Sequence, residues 1–182
     1  MAMMLWLARH GATDWSDGGR FNGWTDVPLN ERGLRQAHDL ATSLELSDGA
    51  TIWSSDLIRA RATAAALGPP RVDPRLRELD FGDLEGLTWD QCDLGIREAL
   101  VAFDGFTAPD GESVAALGAR IDAFLADLVL EGPGHGKHVV VTHGGVIRFL
   151  LRRYSEDRHV APGEAVLLPV APESDPAHNR YQ

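Results

Sequence analysis

The chain has 182 residues, 44% of them hydrophobic, which is enough for one domain whose sheet is covered by helices on both sides. A formal net charge of -10 argues against a nucleic-acid-binding surface, and no apolar run reaches membrane-spanning length. A lone cysteine, Cys92, excludes an intramolecular disulfide and suits a reducing cytoplasm.

Met3 to Ala8 is predicted as a buried strand that runs directly into Arg9 and His10, so the opening segment is expected to belong to the domain and not to a cleaved leader. Neighbouring strand residues point to opposite faces. Arg9 and His10 can therefore share a pocket only if the backbone turns, and Gly11 is expected to allow that turn. Taken alone, the segment is equally a strand ending in a solvated arginine and a surface histidine. Residues 14–29 read as an irregular loop. In it Trp15, Phe21 and Trp24 pack under the loop or against a ligand, the former being favoured, and Arg20 touches the far end of an anionic substrate or is solvated.

Asn30 is expected to cap a helix with the apolar stripe Leu34, Ala37, Leu40, Ala41 and Leu44, with His38 at the surface and Asp48-Gly49 closing the unit. Thr51-Ile52-Trp53 supplies a short strand, and Ser54-Ser55-Asp56 marks the next helix start, placing Arg59 in a first turn where free amides favour an anion. Arg61, two positions on and facing away, is read as a solubilising or salt-bridging residue. Gly68-Pro69-Pro70 stops that helix, and Val72 to Leu79 crosses back as extended or turn-rich chain. Composition cannot choose an acid among Glu78, Asp80, Asp83 and Glu85.

Trp89 to Pro109 has a weak helical pattern and is expected to form a short lid, with Cys92 interior or half-buried. Ser113 caps a long helix through Val114, Leu117, Ile121, Phe124, Leu125 and Leu128, which Gly132-Pro133-Gly134 ends; Glu112 faces a phosphate pocket or sits in the approach to that helix. The Val139-to-His143 run then repeats the opening device: a β-branched strand, a histidine, and glycines leading into a helix with Val146, Ile147, Leu150 and Leu151 on its buried side. His135, His138 and His159 read as surface or linker residues. Ala165 to Val170 is a last strand, placed at an edge because Pro169 cannot donate to a ladder. Residues 1–171 are expected to form one domain and 172–182 a frayed tail. The element order predicts an α/β fold, a three-layer α/β/α sandwich with a mainly parallel sheet.

In an open α/β sheet, ligands bind beyond the carboxyl ends of the strands, so two strands ending in His10 and His143 can deliver both imidazoles to one crevice. A metal site needs further convergent ligands, and the chain has no HExxH or CxxC. An imidazole nucleophile among fixed cations is the better fit, because phosphoryl transfer needs positioning and charge neutralisation.

These residues resemble the histidine phosphatase superfamily. The matching blocks are Arg9-His10-Gly11, Phe21-Asn22-Gly23-Trp24-Thr25-Asp26-Val27-Pro28-Leu29, Ser54-Ser55-Asp56-Leu57 with Arg59-Ala60, Leu76-Arg77-Glu78, Gly111-Glu112-Ser113 and Thr142-His143-Gly144-Gly145-Val146-Ile147-Arg148. The resemblance implies a phosphoglycerate mutase-like fold. It makes His10 the nucleophile that becomes a phosphohistidine, puts Arg9, Arg59 and His143 on the phosphoryl oxygens, and makes Glu78 the proton donor to the leaving oxygen. Ser16, Asn22, Gly23 and Gly144 fall at substrate-binding positions. Two residues depart from the family pattern: Ala12 replaces a Glu or Gln, and Ser16 replaces a phosphate-contacting Asn. The expected activity is metal-independent phosphomonoester hydrolysis without a cofactor, on a small phosphorylated metabolite, by a cytoplasmic monomer or homodimer. The alternatives are mutase-type phosphoryl transfer and an inactive phospho-ligand sensor.

Overall fold

A computed structural model describes residues 3–46, 49–131, 137–154 and 156–170. In chain order these form β1 (Met3–Arg9), α1 (Asp14–Asp17), α2 (Glu31–Ser43), β2 (Thr51–Ser54), α3 (Ile58–Leu67), β3 (Arg71–Val72), α4 (Leu94–Ala102), α5 (Val114–Glu131), β4 (His138–Thr142), α6 (Gly144–Arg152) and β5 (Ala165–Val170). Single 3-10 turns at Pro74–Leu76, Gly82–Leu84 and Trp89–Gln91 punctuate the long connection between β3 and α4. The sheet order is β3-β2-β4-β1-β5, parallel except for β5, which runs antiparallel to β1 at one edge.

Strand alternation builds the layers. Leu5, Leu7 and Val140 turn to a large core formed with Leu117, Ile121, Phe124 and Leu128 of α5 and Val146, Ile147, Leu150 and Leu151 of α6. Ala8, Val139 and Val141 turn the other way, onto Leu40 of α2, Leu44 just beyond it, and Ala60 and Ala64 of α3. The result is the expected three-layer arrangement. Among the described residues no helix is long and apolar enough to cross a membrane.

Several local expectations are corrected. Residues 14–29 are not wholly irregular, because Thr13 caps the short helix α1 in a reciprocal box with Ser16. On α2 Leu34 is exposed, and the buried stripe runs through Gly33, Ala37 and Leu40. Ser54-Ser55-Asp56 does not start α3, since β2 continues through Ser54. The helix begins at Ile58, whose N–H donates to Asp26 Oδ1 at 2.7 Å, a cap supplied from 32 residues upstream. Leu94 and Val101 of the lid helix are exposed, while Leu100, Phe103, Phe106 and Cys92 are buried beneath it. His138 is not a surface residue but the buried first residue of β4. Asp48, Gly132-Pro133-Gly134, His135 and the tail from 172 lie outside the described residues.

Candidate active site

The register of the sheet places the two histidines. Arg9 of β1 pairs with Thr142 of β4, and the His10 N–H donates to the Thr142 carbonyl at 3.0 Å, so His10 and His143 leave adjacent parallel strands at the same level. Their ring centroids lie 5.0 Å apart, and both rings are buried. Gly11 has no left-handed backbone angle, so Arg9 and His10 reach one cavity without the conformation that glycine alone allows. What Gly11 permits is close approach. A Cβ there would sit 2.4 Å from the Gly33 carbonyl oxygen at the start of α2.

His10 Nδ1 lies 2.7 Å from the carbonyl oxygen of Gly11. A carbonyl only accepts, so Nδ1 carries the hydrogen and Nε2 carries the lone pair. Burial, with Arg59 and Arg9 next in order, holds the His10 pKa well below 6.5, leaving a neutral imidazole at pH 7. Burial and the same cations also hold His143 well below 6.5, which corrects any picture of a protonated His143 before an anion arrives. His143 Nε2 meets the Ser55 hydroxyl at 2.7 Å, while its Nδ1 is buried without a partner.

Beyond these strand ends lies a cavity of about 650 Å³ lined by Arg9, His10, Ser16, Asn22, Glu78 and Gly144 among the residues singled out above. Arg20, Arg148 and Arg158 also line it, against Glu78 and Asp157 as the acidic groups, so the cavity is a local positive island on an acidic chain. Phe21, Phe81, Trp89, Leu100 and Phe103 give its apolar wall. Phe21 and Phe81 are tilted against each other at 5.2 Å, and Trp24 is turned away to donate its indole N–H to the Glu78 carbonyl at 2.9 Å. The lid helix therefore borders the cavity through Leu100.

Arg59, His143 and Gly23 are not on the cavity surface. Arg59 is fully buried; its Nη2 donates to the carbonyls of Asn22 at 3.1 Å and Gly23 at 2.6 Å, and its Nη1 to that of Thr25 at 3.1 Å. Burial lowers its pKa to about 10, so it stays charged at neutral pH. Its Nε has no partner. In the first turn of α3, Asp26 takes the Ile58 N–H and the Leu57 carbonyl takes those of Ala60 and Arg61. Ser16 Oγ accepts from the Thr13 N–H and donates to the Thr13 carbonyl, so its hydrogen is committed to the loop. Ala12 is fully buried, with its N–H on Gln36 Oε1, and does not border the cavity. The small side chain there takes nothing from the pocket.

Glu78 is buried at the cavity edge. Its Oε1 accepts from the Leu79 N–H at 2.9 Å and its Oε2 from the Gly145 N–H at 3.0 Å. A Cβ on residue 145 would stand 2.3 Å from Glu78 Oε1, so only glycine lets the carboxylate lie against the start of α6. Behind it, Glu112 does not face the cavity. It pairs with Arg120 of α5 through two oxygens, at 2.7 and 2.8 Å. Arg120 also donates to the carbonyls of Arg75, Arg77 and Glu78, a latch that clamps the Glu78 segment to α5.

His159, taken as a linker residue from the sequence, reaches Arg9 at the cavity rim. A single histidine after a charged stretch carries no local signal of such a contact. Among the described residues, no group of three His, Cys, Asp or Glu side chains could hold a metal ion.

The fold and this paired-imidazole site define a phosphoglycerate mutase-like α/β protein. More particularly, the chain belongs to the histidine phosphatase superfamily (branch 1), whose family model matches residues 5–165. It is 38% identical over 158 residues to the "Probable phosphoglycerate mutase GpmB" of Yersinia pestis (strain Pestoides F), covering 82% of this chain and 73% of that protein. It is 47% identical to TTHB049 from Thermus thermophilus, with a TM-score of 0.79 over 91% of this chain and 93% of that one. A candidate alpha-ribazole-5'-P phosphatase from Escherichia coli str. K-12 substr. MG1655 matches at 29% identity and a TM-score of 0.78, over 92% and 90% of the two chains. The superfamily places this chain among phosphatases and mutases.

Proposed function

We propose that the protein is a metal-independent phosphomonoester hydrolase that works through a phosphohistidine on His10. The observation that carries this reading is the Nδ1–H to Gly11 bond, which leaves a neutral Nε2 lone pair in a cavity that Arg9 and Glu78 share. His10 Nε2 attacks phosphorus in line as the bond to the ester oxygen breaks, and the carboxyl group of Glu78 gives that oxygen its proton. The resulting carboxylate takes a proton from water. The water oxygen then displaces His10 and releases inorganic phosphate. Arg9 meets the equatorial oxygens from the cavity wall, while buried Arg59 acts on them through its charge and His143, with Ser55 donating to its Nε2, holds an unspent Nδ1–H beneath that wall. Asn22, Gly144 and Ser16 shape the walls around the phosphoryl group, and the Gly23 carbonyl holds Arg59 behind them.

A mutase reading draws on the names of the Yersinia relatives. Hydrolysis is preferred because the apolar wall offers a carboxylated substrate little, and Arg148 at the rim is already engaged by Asp157 and two lid carbonyls. The sensor reading rests on the departures at Ala12 and Ser16; Ala12 lies outside the cavity, which leaves Ser16, whose hydroxyl hydrogen is held by the Thr13 carbonyl, as its support. The substrate is read as a small phosphorylated metabolite, without nucleic-acid partners, in a reducing cytoplasm that suits the buried free thiol of Cys92. Rapid acid-free quenching with 32P-labelled substrate, with and without EDTA, should trap base-stable, acid-labile label on the wild type and none on His10→Ala. Label on His143, loss of turnover on chelation, or interconversion of phosphoglycerates faster than phosphate release would overturn the proposal.

A further inference from the structure

Arg9 cannot use its Nη1 on a substrate. That nitrogen has two hydrogens, and both are spent, on His159 Nε2 at 2.8 Å and on the Val160 carbonyl at 2.9 Å. Its Nε is buried without a partner. The edge formed by Nε and Nη2 is therefore the two-pronged face that remains for an anion. A guanidinium has no acceptor, so the His159 Nε2 facing it carries a lone pair and the ring hydrogen sits on Nδ1.

We propose that His159, in the segment between α6 and β5, is a positioning residue that holds Arg9 in the rotation presenting its Nε–Nη2 edge to the phosphoryl subsite. The inference rests on the phosphoryl reading of the cavity. Two further observations support it. His159 lines the same cavity as Arg9, His10 and Glu78, so the contact sits at the rim and not in a remote core. Burial and the neighbouring Arg9 both lower the His159 pKa, against an opposing pull from Glu164, which keeps the ring in the accepting state at pH 7. The backbone reinforces the contact, since the Arg9 N–H donates to the Glu164 carbonyl and the Gly163 N–H to the Arg9 carbonyl, tying the segment that carries His159 to the end of β1. The Val160 carbonyl holds the other Nη1 hydrogen, so two acceptors and not one fix that nitrogen.

The test is calorimetric binding of inorganic phosphate at pH 7.5 to the full chain and to two variants. His159→Leu fills the space without an acceptor and should weaken phosphate binding about tenfold, the scale for losing one hydrogen bond to a charged group. His159→Gln places a non-titrating oxygen near the Nε2 position and should bind within about threefold of wild type. Ring-nitrogen NMR of the wild type should show His159 as the Nδ1–H tautomer. Phosphate affinity unchanged in His159→Leu, no rescue by His159→Gln, or hydrogen on Nε2 would each overturn the assignment. Because phosphate binding needs no turnover, an inactive wild type would refute the hydrolase reading while leaving this question answered.

Discussion

Gly145→Ala separates the role of Glu78 from the integrity of the fold. Residue 145 is the second residue of α6, where alanine favours the helix by about 0.5–1 kcal/mol over glycine. The added methyl would stand 2.3 Å from Glu78 Oε1 and 3.2 Å from its Cδ. A flexible carboxylate can yield where a backbone cannot, so it swings away and its contact with the Gly145 N–H is lost. Losing a hydrogen bond to a charged group costs about 1.5–3 kcal/mol, so the net destabilisation after the helix gain is about 0.5–2.5 kcal/mol. The fold should therefore hold, with the melting temperature lowered by no more than about 10 °C. Activity should not hold. General acid catalysis contributes roughly 10²–10⁴-fold, and a carboxyl group displaced by more than an ångström should forfeit about 10–100-fold in kcat for an alkyl phosphate. An aryl phosphate, whose leaving group departs without a proton, should lose less than about fivefold. The assay is steady-state phosphate release from both substrates beside a thermal melt. Equal losses on the two substrates, or an unchanged kcat on the alkyl ester, would refute the reasoning.

Arg120→Met should break a pair whose side chains are only 16% and 13% exposed, costing about 3–5 kcal/mol because Glu112 is left unpaired; the double variant with Glu112→Leu should recover part of that loss in a urea titration, but not the alkyl phosphatase activity that depends on the clamped Glu78. Stability should fall with acid as pH drops below about 6.5, because the folded His10 and His143 have pKa values below that ordinary value and the unfolded chain takes up protons first. His143→Gln should flatten that slope between pH 7 and 5 in denaturant melts, and an unchanged slope would contradict the neutral assignment. Asp26→Ala should remove the remote cap on α3 at about 0.5–2 kcal/mol, read as a lowered melting temperature.

Legibility followed sequence distance. The apolar run Met3 to Ala8 and the β-branched run ending at Thr142 are local signals, and each names a strand whose exit carries a histidine; the sheet then needed only to set β1 beside β4. Ser113 as a cap was equally local, its hydroxyl accepting from the Ala116 N–H three residues on. By contrast, Ser54-Ser55-Asp56 looked like a helix start, and the true cap came from Asp26. Arg59 was found as a cation by motif, but its clamp on the Asn22 to Thr25 carbonyls depends on how the loop folds over α3.

The residues by themselves determined the layer order, the two histidines, the glycines that follow them and Arg9, since periodicity, punctuation and side-chain chemistry are properties of a short window, whereas the cations Arg148 and Arg158 reach the pocket only through the fold. Only the tertiary structure decided the states of those groups. The Gly11 carbonyl sets the His10 tautomer, burial beside two arginines makes both imidazoles neutral, and the Gly145 backbone admits Glu78. His159 meets Arg9 across 150 positions, and Arg120 grips Glu78 across 42. Hydrogen-bond geometry, desolvation and close contact belong to atoms that folding brings together, and a linear pattern contains none of those distances.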